Sequence, residues 1–541
     1  MIRAGHIIAV VTLLWALVGL AATGDDDGAG IVDPFAVITK LHGFAGLPLW
    51  PGFDPSKHPV AIYDGERTVL LRHPDPPEEF TPLEGHTGMW VYAGRHAAMR
   101  WNSNVDLNGV RTATLVLTIQ PGRAVDLEAS FLLHEVFHVF SKPRHPTWTP
   151  NEMHRYSYPM DDVENYSLLL MEEEALARAL EAEEDTVASG WAAAALRWRR
   201  QRSNGMAEEH RKFEMALEMQ EGTAVYVARL ALGMPRDTTR LRETLSPEEI
   251  RWRFYDTGAA LAAMLDLLDP SWKDRLEAEP ELAMDALLAE ALRRRDTVLA
   301  ELPVLESTSI YARAEQAVAE LNAHRARLRR DFLSRRPRVV VIASGSDEPL
   351  QLIDFDPLAL EILSGGEALH SRHLTLETPT GKIEIENSGF ERGSFQGVVS
   401  LTAPAGAHPF LDGVTRVTVS GFVGKPEVGH KDDVVSIEAK GLTLSFQGAV
   451  VHTAGEEIQV QLQKSVSSDN SKKDRGSPIS RLRSTGKVNV CFSQKRTPKR
   501  VRYDTICRCG FQSRGTSPFQ IYRAIFQDPS SPRRKIRTPF R

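Results

Sequence analysis

Three regimes of apolar and polar spacing follow one another along the chain. From Ile31 to Ile119, short β-branched or aromatic runs (Val60–Tyr63, Thr68–Leu71, Met89–Tyr92 and Ala113–Ile119) are separated by Pro and Gly, which predicts the strands of a small sheet. Between Asp126 and Arg335, Ala, Leu, Glu and Arg recur at helical spacing, with breaks near Lys142–Pro159, Gly233–Arg236 and Asp269–Trp272. This predicts an α-helical block. After Pro337 the period returns to two at His373–Glu377, Lys382–Glu386, Gly397–Thr402, Thr415–Phe422, Val434–Phe446 and Ile458–Gln463. Short strands with Gly, Asp and Asn turns between them predict an all-β, sandwich-like unit. The fold class expected is therefore α+β.

The two ends differ from the body. Met1–Gly24 has a short cationic start, an apolar run from Ile7 to Leu20 and small residues at Ala21 and Ala22, the pattern of a secretory signal. The run is shorter than the ~20 residues a membrane-spanning helix needs, so cleavage is expected and no stable membrane span, which places the protein outside the cytoplasm, secreted or periplasmic. From Ser465 onward there are 19 Lys and Arg against four Asp and no Glu, while the preceding residues carry 46 basic against 67 acidic groups. Such a stretch buries too little apolar surface to offset its chain entropy and is expected to be a disordered basic tail. The expected organisation is a signal (1–23), a catalytic domain (24–336, β-rich over 31–120 and helical over 126–335), a β-domain (337–464) and the tail (465–541).

All three cysteines (Cys491, Cys507, Cys509) lie in that tail, so a metal site in the body must use His and carboxylate. The run Asp126–Phe140 supplies such a site. It contains His134-Glu135-Val136-Phe137-His138 in an otherwise apolar stretch, with Asp126 a plausible N-cap and Pro143 expected beyond the helix end. On a helix, His at i and i+4 share one face and can both reach one Zn²⁺. Glu135, beside the first His, is placed to take a proton from attacking water as general base. The alternative, two histidines filling an apolar helix face, leaves His, Glu and His in that run unexplained.

Catalytic zinc takes three protein ligands and keeps a fourth position open. Glu221, in Glu221-Gly-Thr-Ala-Val-Tyr226 within the helical stretch Ala207–Leu232, lies 83 residues after His138. HExxH followed by a helical Glu-Gly-x-Ala-x-Tyr resembles the gluzincin branch of the zincin metallopeptidases. The resemblance implies a zincin-like catalytic domain with His134, His138 and Glu221 as ligands, Glu135 as general base, Zn²⁺ as cofactor and a peptide or protein as substrate. Tyr255-Asp-Thr-Gly258, followed by an apolar run to Leu265, resembles the gluzincin aminopeptidase segment whose Tyr steadies the oxyanion, and implies that role for Tyr255. Glu172, Glu173 and Glu174, about 34 residues after His138, are rival third ligands with Glu174 foremost; they also read as an acidic first helical turn.

Glu214, Glu218 and Glu221 fall at i, i+4 and i+7 on one helix face. Glu218 is then a hydrogen-bond acceptor for a ligand His, or pairs with Glu214 to Arg211 and Lys212 on a solvated face. The segment Tyr92–Asn102, just ahead of a strand-like run, is positioned in the sequence to supply the edge strand that, as the zincin resemblance implies, lies above the metal and binds substrate main chain. The tail has no aromatic-interleaved motif, so no nucleic-acid partner is expected. The competing class is a non-catalytic extracytoplasmic binding or structural protein, with a stabilising or vestigial zinc site and a working β-domain.

Overall fold

The computed structural model describes residues 31–464, apart from 100, 120–121, 243–245, 280, 296–304, 346–347, 356–359, 364–365, 387–397, 405–406, 410–411 and 422–424. The expected signal segment and basic tail lie outside the described residues. The described residues form two compact units, one of residues 31–48 with Gly52–Phe140, the other of Leu49–Pro51 with residues 141–464.

The first unit starts with a helix that the strand-like reading of this region missed, α1 (Pro34–Gly43). Its signal is local: Asp33 accepts a hydrogen bond from the Phe35 N–H at 3.1 Å and Pro34 occupies the first helical position. Six strands follow, β1 (Val60–Tyr63), β2 (Arg67–Leu71), β3 (Thr81–Pro82), β4 (Met89–Ala93), β5 (Ser103–Leu107) and β6 (Val110–Val116). They form one sheet in the order β3-β4-β2-β1-β6-β5, in which β1 and β6 run parallel and the other pairs antiparallel. The apolar run expected to continue to Ile119 leaves the strand at Val116 and turns into a 3-10 segment, Leu117–Ile119. Ala61, Leu70, Val105, Leu107 and Val116 pack with Phe80 and Met99 as one core of this unit.

The helix α2 (Val125–Arg144) carries the HExxH run. It is longer than expected at both ends: Asp126 lies in the first turn rather than at the cap, and Pro143 lies inside the last turn. Near the C-terminus a proline forfeits one bond of a fraying turn, a smaller loss than in the helix interior. Asp126 and Glu128 near the start and Lys142 and Arg144 near the end complement the helix dipole. Burial raises the Glu128 carboxyl to about 7 against the opposing pull of Arg123, 3.4 Å away. The folded state therefore holds this proton after the unfolded chain has lost it, and stability falls as pH rises from about 4.5 to 7. The shift corresponds to roughly 3 kcal/mol. Glu128→Gln should flatten that window in a series of melting curves against pH, raising the melting temperature at pH 7 relative to pH 5.

The second unit holds the helices α3 (Val163–Glu181), α4 (Asp185–Asn204), α5 (Glu208–Leu217), α6 (Thr223–Ala231), α7 (Ile250–Leu268), α8 (Trp272–Ala278), α9 (Met284–Arg294) and α10 (Ser307–Leu333). The stretch expected to be helical from Ala207 to Leu232 is so, but its middle, Glu218–Gly222, widens into a π turn that joins α5 to α6. No helix among the described residues is long and apolar enough to cross a membrane.

After Pro337 come thirteen described strands, from β7 (Arg338–Ile342) to β19 (Glu457–Gln461), in a seven-stranded and a six-stranded sheet. Val339, Val341, Val417, Val419 and Val460 of the first sheet share one core with Leu374, Leu376, Ile383, Leu444 and Phe446 of the second, which is the two-layer packing the period-two pattern predicts. The single run read as Val434–Phe446 is a hairpin, Val434–Ala439 paired with Leu442–Gln447. The sandwich belongs to the same compact unit as the helices: Leu328 and Phe332 of α10 pack on Leu363 and Leu369.

Candidate metal centre

Along α2 the apolar residues Phe131, Leu132, Leu133, Val136 and Phe137 are buried, and so are His134, Glu135 and His138. The i, i+4 spacing turns the two imidazoles toward each other, with Nε2 of His134 and Nε2 of His138 3.0 Å apart and the rings nearly perpendicular at 89°. Two nitrogens on a tetrahedral zinc, each at ~2.0–2.1 Å, stand about 3.3 Å apart, so this pair already has nearly that separation. Glu135 is 7% exposed, and Asn104 on β5 offers its amide to the carboxylate at 3.5 Å. Among the described residues β5 pairs only with β6, so the residue beside Glu135 sits on an edge strand of that sheet.

His134, His138 and Glu221 each offer one ligand atom, the three lie within 4.8 Å of one another, and all three residues are buried. This group can hold a metal ion. Two imidazoles and a carboxylate are a three-ligand donor set that suits zinc and leaves a fourth position open.

Glu221 is carried by the π turn, a geometry that shifts side chains out of α-helical register and is frequent at functional sites. Two glycines let that turn approach α7 at backbone distance. A Cβ at Gly222 would stand 2.5 Å from Cα of Gly258, and one at Gly258 would stand 2.7 Å from the Glu218 carbonyl oxygen. Gly258→Ala gains up to about 1 kcal/mol of helix propensity and loses about 1–3 kcal/mol to overpacking against backbone. The expected net result is a lower melting temperature together with weaker metal binding, read by thermal denaturation and zinc titration of the same variant.

Glu221 accepts from Gln220 at 3.1 Å and from Arg251 at 3.3 Å. Arg251, one turn before Tyr255 on α7, also reaches Glu152 at 3.0 Å and hydrogen-bonds the Tyr255 hydroxyl. Burial alone would lower the pKa of this guanidinium, but Glu152, Tyr255 and Glu221 together push it well above the ordinary arginine range. Tyr255 is 4% exposed and shares this cation with Glu221. Arg251 and Asn104 escaped the sequence reading. Arg251 carries a weak signal, standing i−4 from Tyr255, whereas nothing local marks Asn104.

The rival donors are occupied elsewhere. Glu172–Glu174 lie in the middle of α3 rather than in a first turn, because the helix starts nine residues earlier, at Val163. Glu174 pairs with Arg178 at 2.8 Å and with Arg242 at 3.1 Å. Glu172 bonds Arg199 and Arg202, and Glu173 bonds Arg253, all of them buried. Glu214 and Glu218 do not face solvent with Arg211 and Lys212; both are buried, Glu214 against Arg202 and Glu218 against Arg199 and Thr257. Burial raises the pKa of Glu218, with Arg199 opposing, while for Glu172 the same burial is outweighed by Arg199 and Arg202 and the pKa is lowered.

The chain matches no protein-family model, and no curated protein and no solved structure resembles it at a significant level.

Proposed function

We propose that the protein is a zinc-dependent peptidase of the gluzincin type, secreted or periplasmic, which hydrolyses peptide bonds. The observation that supports this reading most is the buried convergence of His134, His138 and Glu221, with Glu135 next to the first imidazole. A zinc ion bound there supplies Lewis acidity toward a peptide carbonyl and lowers the pKa of water toward ~7. The Glu135 carboxylate takes the proton of the attacking water and passes it to the leaving amine. Asn104 holds one oxygen of that carboxylate, which limits its rotation. The free edge of β5 binds substrate main chain by strand addition. Tyr255 donates its hydroxyl to the developing oxyanion, and Arg251 orients that hydroxyl.

Metal analysis combined with a peptide-library cleavage assay tests the reading. About one zinc per chain and cleavage that stops on chelation and returns with Zn²⁺ are expected. Bound zinc without turnover of any peptide would instead support a stabilising site in a binding protein.

A further inference from the structure

Glu152 opens a 3-10 turn, Glu152–Arg155, that is fixed at its start by Asn151, whose side-chain oxygen accepts the Met153 N–H at 3.2 Å and whose amide donates to Nε2 of His154 at 3.1 Å. Oε1 of Glu152 lies 3.0 Å from both Nε and Nη2 of Arg251. The same guanidinium donates through Nη1 to the Tyr255 hydroxyl and through Nη2 to Oε1 of Glu221, at 3.3 Å. It therefore stands closer to the Glu152 side chain, 29% exposed, than to that of Glu221, 8% exposed. A second cation is near. Burial holds the Arg155 guanidinium down to about 10, with the charge of Arg251 adding to that lowering and Tyr156, Glu152 and Glu248 opposing it.

A guanidinium beside a metal-binding carboxylate works against the metal, because it occupies the same lone pairs and repels a divalent cation, and burial strengthens both effects. Glu152 counters them at Arg251. Its negative charge offsets the guanidinium, and its contact with Nε and Nη2 limits how far that side chain moves toward Glu221. We infer that Glu152 is a positioning residue of the metal centre: it holds Arg251 back from Glu221, so that this carboxylate can serve a divalent cation, and keeps the guanidinium on Tyr255. The inference rests on the metal-centre part of the proposed function, but its readout is zinc affinity and needs no turnover. A salt bridge that only staples the turn to α7 would behave differently once Arg251 is removed.

The test titrates Zn²⁺ into the full-length chain against a chromophoric chelator. His138→Ala, which lacks one of the converging donors, sets the zinc taken up elsewhere in the chain, Cys491, Cys507 and Cys509 included. Glu152→Gln, similar in shape but neutral, is expected to weaken zinc binding about ten-fold, the low end of what groups behind a metal ligand contribute. Glu152→Asp keeps the charge and should lose less. Arg251→Gln should bind zinc more tightly than the unmodified chain, and in that background Glu152→Gln should cost nothing, since the cation it restrains is gone. A loss of the same size with and without Arg251 would show that Glu152 acts through the turn alone and would overturn the inference. Unchanged affinity in Glu152→Gln, equal losses in Glu152→Gln and Glu152→Asp, or weaker binding in Arg251→Gln would overturn it too. Glu152 is partly exposed on a turn, so both of its variants should fold, and their comparison decides the matter even where Arg251→Gln does not fold. An unmodified chain that takes up no more zinc than His138→Ala would remove the metal centre itself, whereas zinc bound equally by the unmodified and Glu152→Gln chains removes only the role of Glu152.

Discussion

On the peptidase reading, Glu135→Gln is expected to bind about one zinc per chain, the same as is expected of the unmodified protein, and to lose hydrolysis by a factor of about 10²–10⁴, the usual worth of a positioned general base. The amide keeps the shape and the neighbourhood of Asn104, but accepts no proton from water. Its folding should be unaffected, because Glu135 is not one of the three converging ligands. His138→Ala makes the contrasting case. With only His134 and Glu221 left of the donor set, zinc binding should collapse along with turnover. The stabilisation that zinc confers on the folded state, about 4 kcal/mol at a free ion concentration a thousand-fold above Kd, should vanish from the melting curve. Metal content, zinc-dependent melting and peptide turnover measured on both variants separate the two roles. Full activity in Glu135→Gln ends the peptidase reading.

What could be read from the chain follows the range of the interactions concerned. The HExxH helix and the strands of the sandwich depend on neighbours a few residues away, so spacing alone places them: period 3.6 around His134 and His138, period two at Leu374–Thr378 or Arg416–Ser420. Glu221 was legible through its local company, Glu-Gly-x-Ala-x-Tyr, and Gly222 now has a physical reason to follow it, since a side chain there would strike α7. The acidic residues near it were misread, and for one cause. Charge in a helical stretch reads as a solvated face or a dipole partner, yet Glu172, Glu173, Glu214 and Glu218 are buried. Their partners Arg199, Arg202 and Arg253 lie 12 to 80 residues away in the chain. A tertiary ion pair leaves no period in the sequence. The same holds for Arg251 and Asn104, whose neighbours Glu221 and Glu135 are 30 and 31 residues distant.

That buried network carries the largest stability effect to be expected. Arg199 reaches Glu218 through Nη1 at 2.7 Å and Glu172 through Nε at 2.7 Å, and its side chain is 8% exposed. Arg199→Met fills the space with an apolar chain and leaves Glu218 with only the Thr257 hydroxyl, at 2.6 Å, and Glu172 with only Arg202, at 3.0 Å, among the partners described. Breaking a buried pair from one side costs about 3–5 kcal/mol, because the surviving charge has lost both water and partner. The loss should depend on pH. Glu218 already titrates above the ordinary carboxylate range, and without Arg199 it rises further, so the folded variant keeps a proton that the unfolded chain has released. The Glu218 part of the deficit against the unmodified protein is therefore smallest under acid conditions, where Glu218 is neutral in both folded proteins, and grows only as pH rises past the already raised pKa that Glu218 has in the unmodified fold. Urea unfolding at pH 4.5 and 7.5 reads this directly, and Glu218→Gln in the Arg199→Met background should recover part of the loss at pH 7.5 by removing the orphaned charge. The effect extends to the metal centre through the backbone. Glu218 opens the π turn, Glu218–Gly222, that carries Glu221, so a Glu218 that swings away from Thr257 disturbs the turn that positions the candidate ligand, and zinc affinity should fall in Arg199→Met although Arg199 is not one of the converging residues.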